Sequence, residues 1–169
     1  MLLYKDIVRD GHEVLKMNAN DVKIPLSKED EDTLIAMNEY LMNGYDDEFI
    51  ANNDIRPGVG IAAPQIGISK KMFCIATFDE KGDFHNYCVI NPKIISHSEE
   101  LIAAEAGEGC LSVKKRSVEV KRPSKITVEA LNEKGEKITF TAEHFYAREI
   151  CHEVDHLDGI LIVDREECN

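Results

Sequence analysis

The chain reads as an α+β domain in which mixed or antiparallel β-sheets wrap around a C-terminal helix, with further helices at the N-terminus. Three observations predict this. Helical spacing and capping signals dominate the first 45 residues, strand-length runs rich in β-branched residues fill the middle, and one amphipathic helix comes near the end. At 169 residues without an internal repeat or a Pro/Gly/Ser-rich linker, residues 1–169 are expected to form one domain.

Taken in order, a short helix is expected near residues 11–17 and a longer one from 27 to about 45. Ser27 is a good N-cap for the second, and Asp30 and Glu31 place negative charge at its positive end. Strands are expected at 71–78, 87–90, 93–96, 117–121, 126–131 and 137–142, with Asn132-Glu133-Lys134-Gly135 as a hairpin turn. The last helix covers 145–157, where Tyr146, Ile150, Val154 and Leu157 recur at helical spacing as a core-facing stripe. Phe145, Glu149, His152 and His156 share an adjacent face, and Gly159 is a natural stop.

That helix carries His152-Glu153-Val154-Asp155-His156. Residues four apart on a helix stand one above the other, so His152 and His156 can hold one metal ion together. Glu153 then lies where a carboxylate can take a proton from water that the ion has acidified. The competing reading is an amphipathic helix with two solvated or core-satisfied histidines.

Composition narrows the alternatives. A formal net charge of −12 argues against general nucleic-acid or anionic-membrane binding. The basic cluster Lys114-Lys115-Arg116 with Lys121-Arg122 reads as a solvated strand face or loop. Apolar runs are too short to cross a bilayer, and the N-terminus does not read as a secretory signal, so a cytoplasmic location is expected. Five cysteines without close-set pairs argue against a disulfide framework. Cys74 and Cys88 read as small buried hydrophobes, and Cys168 falls at a tail expected to be mobile. Cys151 points about 100° away from His152 on the helix.

Cys110 is different, because it lies in Gly107-Glu108-Gly109-Cys110-Leu111-Ser112. One Cys and two His leave a fourth tetrahedral position open, which distinguishes a catalytic site from a closed structural one. A buried free thiol at a turn is the simpler reading of this segment alone. In Gly58-Val59-Gly60-Ile61-Ala62-Ala63-Pro64-Gln65-Ile66-Gly67, the glycines expose backbone to which an extended peptide could add, and Gln65 offers an amide donor to a developing oxyanion. Phosphate cradling is the competitor, but neither a G-K-[ST] ending nor a third glycine at dinucleotide spacing is present.

The three segments together resemble the peptide deformylase family, which carries G-x-G-L-A-A-P-Q, E-G-C-L-S and H-E-x-D-H motifs in this order. Within them the chain departs only at Ile61, where the family usually has Leu. The acidic stretch before Gly58 and the lack of a long C-terminal helix look like the subtype typical of Gram-positive bacteria.

The resemblance implies that Cys110, His152 and His156 bind one divalent metal, Fe²⁺ in the cell, with Zn²⁺, Ni²⁺ or Co²⁺ able to substitute. It implies that Glu153 is the general base and then the acid, and that Gln65 and the Leu111 backbone N–H hold the oxyanion. Val59, Gly60 and Gly109 would pair with the substrate backbone, and an apolar pocket including Val59 and Phe145 would take the methionine side chain. Glu108 would be paired with Arg122 behind the Cys110 loop, a surface reading of Arg122 being the alternative.

The implied reaction removes the formyl group from N-formylmethionyl nascent peptides near the ribosome and releases formate, and the chain is expected to be a monomer. The alternatives are a zincin-like metallopeptidase and a non-catalytic metal-binding relative. Zincins usually take a third His or Glu in place of an upstream Cys. A closed structural site would have no use for Glu153 or Gln65.

Overall fold

The computed structural model describes residues 1–166. Helix α1 spans Lys28–Asn43 and α2 spans Asp47–Asn52. The strands that follow are β1 (Gly60–Ala62), β2 (Met72–Phe78), β3 (Phe84–His97), β4 (Leu101–Ile102) and β5 (Glu108–Cys110). After these come β6 (Val113–Val118), β7 (Arg122–Pro123), β8 (Lys125–Leu131) and β9 (Lys137–Glu143), then helices α3 (His144–Leu157) and α4 (Ile162–Glu166). A five-stranded antiparallel sheet runs in the order β1-β2-β3-β8-β9, and β4-β7 and β5-β6 form two short ribbons. The expected α+β arrangement around a late helix is the one observed.

The alternation of β2 explains how the sheet is covered on both faces. Met72, Cys74 and Ala76 pack with Leu34, Met37 and Leu41 of α1, whereas Phe73 and Ile75 pack with Ala147 and Ile150 of α3. Successive strand side chains point to opposite faces, so a continuous apolar run is what a strand buried on both sides requires. Ser27 caps α1 by accepting a hydrogen bond from the Asp30 N–H at 3.1 Å. Gly159, at φ +73°, ends α3 in the left-handed region, and a β-carbon there would stand 2.7 Å from the Lys16 backbone. The Asn132–Gly135 turn closes the β8–β9 hairpin, with the Asn132 side chain accepting from the N–H groups of Lys134 and Glu136.

Several elements differ from expectation. The two strands expected on either side of Asn91-Pro92 are one strand, β3, whose ladder with β8 shifts register between Ile90 and Lys93. Pro92 has no N–H to give, and Asn91 adopts φ +49° with its side chain bonded to both backbone groups of Val22. The strand expected at 117–121 lies earlier, at Val113–Val118, because it pairs with β5 across the turn after Cys110. The expected helix near 11–17 is a single 3₁₀ turn at Glu13–Lys16.

The cysteine reading also needs correction. Cys74 and Cys88 are joined as a disulfide, because β2 and β3 place them directly opposite each other with their Cα atoms 4.0 Å apart. Cys168 lies outside the described residues. Lys114, Lys115 and Arg116 are exposed on β6 and Lys121 is exposed after it, as expected, but Arg122 of the same basic cluster is buried on β7.

Candidate functional site

Helix α3 is buried on most of its circumference, and His152, Glu153 and His156 are among its buried residues. The β5–β6 hairpin brings Cys110 against it, with Sγ 3.4 Å from Nε2 of His156. One donor atom from each of Cys110, His152 and His156 lies within 4.8 Å of the others. Tetrahedral donors roughly 2.0–2.3 Å from an ion stand about 3.3–3.8 Å apart, so the three residues fit a single ion with little adjustment. Burial acts to push the Cys110 thiol up, but His156 and His152 outweigh it and hold it well below its usual range. A thiol so placed is already disposed to be the thiolate a metal needs.

The surroundings fix these donors. A carboxylate only accepts, so the 3.0 Å contact between Glu108 and Nδ1 of His152 puts the proton on Nδ1 and leaves Nε2 free to coordinate. Glu108 in turn receives two hydrogen bonds from Arg122, at 2.7 and 3.1 Å. Arg122 also donates to Asp155 at 2.9 Å, which is held from its other side by Arg165. Arg122 is therefore a buried cation between two buried carboxylates and not a surface residue.

Glu153 is 2 % exposed, and its Oε2 has no hydrogen-bond partner. Burial pushes its carboxyl up to about 7, near neutrality, where one group can both take and return a proton. Gly60 explains how β1 passes so close to it: a β-carbon at that position would stand 2.5 Å from Oε1 of Glu153. Gln65 sits in the 3₁₀ turn Ala63–Ile66, where its Oε1 accepts from the Ala62 N–H at 3.0 Å. That contact fixes the amide's orientation and aims Nε2 at Ser112 Oγ, 3.2 Å away, and toward Cys110 Sγ at 3.7 Å.

A cavity of about 280 Å³ opens above these groups, and Val59, Gly60, Gln65, Gly109, Cys110, Leu111, Phe145, His152 and Glu153 all contribute to its lining. His156 lies behind it as a ligand candidate. The structure thus gathers every residue singled out from the sequence around one space. The expectation of an apolar pocket is corrected in one respect, because Arg148 and Glu149 share the lining with Val59 and Phe145. Phe145, Arg148, Glu149 and His152 follow one another at helical spacing on one face, so the pair cannot avoid the cavity. The Arg148 guanidinium lies 4.9 Å from the centre of the Phe145 ring, and burial pushes the Glu149 carboxyl up.

The sequence does not single out Arg9 and Arg56, which contact the Cys110–Val113 loop from distant parts of the chain, or Tyr4, which contacts both arginines.

The sequence profile of polypeptide deformylases matches residues 4–168. A peptide deformylase of Halalkalibacterium halodurans is 47% identical over 169 residues, covering 99% of this chain and 92% of that protein. A crystal structure of class I type b peptide deformylase from Acinetobacter baumannii, with K3U bound, superposes with a TM-score of 0.81 at 32% identity, covering 98% of this chain and 99% of that one. A Met-Ala-Ser-bound crystal structure of class I type b peptide deformylase from that organism gives a TM-score of 0.77 at 32% identity, over 94% and 96% of the two chains.

Proposed function

The chain belongs to the polypeptide deformylase family, and from that premise we propose how its residues divide the removal of the N-formyl group from formylmethionyl nascent peptides. The observation that carries the reading is the buried Glu153 carboxylate, with one oxygen unpartnered, at the base of a cavity it shares with Cys110 and His152. A divalent ion held by Cys110, His152 and His156 would supply Lewis acidity and lower the pKa of water toward neutrality.

Glu153 takes a proton from the water that adds to the formyl carbon and returns it to the amine nitrogen as the C–N bond breaks, releasing formate and a free N-terminus. The Gln65 amide and the Leu111 N–H hold the oxygen that becomes negatively charged when water adds. Val59, Gly60 and Gly109 pair with the substrate backbone along the open edge of β1, and the methionine side chain enters beside Val59 and Phe145. Oxygen-stabilising donors and a base side by side suit a small formyl group, and the Met-Ala-Ser bound to the Acinetobacter enzyme has the chemistry of a deformylated product.

The native ion in this reading is Fe²⁺, with Zn²⁺, Ni²⁺ or Co²⁺ accepted by the same donors. In this reading the protein acts as a monomer in the cytoplasm near the ribosome. No helix among the described residues is long and apolar enough to cross a membrane. Metal analysis of protein purified anaerobically, with formate release measured on the same sample, tests the assignment. One equivalent of iron that tracks activity supports it, and a fully active, iron-free native preparation overturns the choice of ion.

A further inference from the structure

We infer that Arg56 and Arg9 are positioning residues for the oxyanion-binding loop, acting through the peptide groups on either side of Leu111. The inference rests on the role proposed above for the Leu111 N–H. That N–H and the Cys110 carbonyl belong to one planar peptide unit, so a group that fixes the carbonyl also aims the N–H on its far side.

Arg56 Nη1 donates to the Cys110 carbonyl at 3.2 Å, and reaches the Val113 carbonyl and the Tyr4 hydroxyl, each at 3.3 Å. Arg9 Nη1 donates to the next carbonyl, that of Leu111, at 3.0 Å. Its Nη2 donates to the Tyr4 carbonyl at 2.8 Å, and its guanidinium lies 3.9 Å from the centre of the Tyr4 ring. Two cations thus hold two successive carbonyls of the loop that carries a metal-ligand candidate and an oxyanion donor.

The backbone around Arg9 ties the second oxyanion donor to the first. The Val8 N–H donates to the Gln65 carbonyl at 2.8 Å, and the Asp10 N–H donates to the Ser112 carbonyl at 2.9 Å. A single short segment therefore spans both candidate donors, which the Gln65 side chain also links through its contacts with Ser112 Oγ and Cys110 Sγ. Steric packing does not do this work at Gly109, where a β-carbon would find nothing nearer than Arg56 Nη2 at 3.8 Å. The buried Cys110 and Leu111 side chains anchor the loop, and the hydrogen bonds to its carbonyls orient the peptide units between them.

Fixed donors lower a barrier because they need no reorganisation when charge develops. A cationic donor on the carbonyl also polarises the peptide unit and makes its N–H a stronger donor. Both effects operate in the transition state and neither requires Arg56 to touch the substrate.

The test compares parent, Arg56→Met, Arg56→Lys and Arg9→Met enzymes, each loaded with the same metal, on formyl-Met-Ala-Ser and its thioformyl counterpart. Sulfur accepts hydrogen bonds poorly, so the preference for oxygen over sulfur reports the oxyanion donors. Arg56→Met should lose kcat by roughly 10- to 100-fold with KM and metal content within about twofold, and its oxygen-over-sulfur preference should fall roughly tenfold. Arg56→Lys should recover part of the loss, and Arg9→Met should show the same split even where Arg56→Met fails to fold. A kcat that holds within about twofold, an unchanged oxygen-over-sulfur preference, or activity that falls only with metal content overturns the inference. Failure of the loaded parent to release formate would overturn the deformylase reading itself and this inference with it.

Discussion

Glu108 and His152 are joined by a 3.0 Å contact between a carboxylate oxygen and ring Nδ1, and that contact decides which histidine nitrogen faces the metal position. Carboxylates behind coordinating histidines fix tautomer and ring angle, and their loss typically costs about 10- to 100-fold in metal affinity. Glu108→Ala should weaken metal binding by that order, measured by competition with a chelator. Unchanged affinity would remove Glu108 from the account.

Arg122 makes the complementary prediction about folding. Its removal leaves the buried carboxylates of Glu108 and Asp155 without their shared cation, so Arg122→Ala should cost about 3–5 kcal/mol in denaturant unfolding. A loss below about 1 kcal/mol would mean that the cluster relaxes freely.

Gly60 is where the fold makes room for Glu153, the proposed base. Because a β-carbon there would stand 2.5 Å from Oε1 of Glu153, Gly60→Ala should displace the carboxylate. The expected result is a kcat lower by at least about tenfold with the metal retained, since Glu153 is not among the donors. Glu153→Ala should go further, losing about 10²–10⁴-fold in turnover while keeping its metal. Metal loss in Glu153→Ala would make Glu153 a ligand instead.

Cys110 and Cys151 give a contrasting pair. Cys110 lies against His156, whereas burial pushes the Cys151 thiol up to about 11 and it stands outside the donor group. Cys110→Ser should reduce metal affinity sharply and Cys151→Ser should leave it close to that of the parent, as read by metal content after dialysis. Equal loss in both would contradict the ligand assignment.

Asp30 carries a pH prediction. Burial pushes its carboxyl up, but the hydrogen bonds from Lys70 and Ser27 outweigh this and its pKa is lowered in the folded state. A depressed folded pKa stabilises fully above the unfolded value, about 4, and the contribution disappears as pH falls through the folded value. Asp30→Asn should therefore lower Tm by a few degrees at pH 7, about 1 kcal/mol, with the difference shrinking below pH 4. A gap that persists at pH 2 would point to helix capping and not to charge.

The parts of this molecule legible in the sequence are those whose signals are local. The i, i+4 histidines of α3, the cap at Ser27 and the apolar run of β2 each carry their own periodicity. The strand state of Glu108–Cys110 is settled by pairing with β6, and three residues are too few for a periodic pattern. The five- and six-residue helices α4 and α2 escaped for the same reason. Register between β2 and β3 decides that Cys74 faces Cys88, and no count of cysteines contains that information. Arg9 and Arg56 are invisible for a related reason: each reaches the Cys110 loop across a long stretch of chain. The polar lining by Arg148 and Glu149 was legible in principle, since both follow Phe145 at helical spacing.

In the proposed reaction one metal held by Cys110, His152 and His156 and one base, Glu153, remove a formyl group. The most direct measurement follows formyl-Met-Ala-Ser with metal-loaded protein, recording formate and new free amine together, beside an N-blocked peptide that offers only internal peptide bonds. Equal amounts of formate and Met-Ala-Ser, proportional to bound metal, and no internal cleavage are expected. Cleavage of internal bonds with the formyl group retained, or no formate from fully loaded protein, would contradict it.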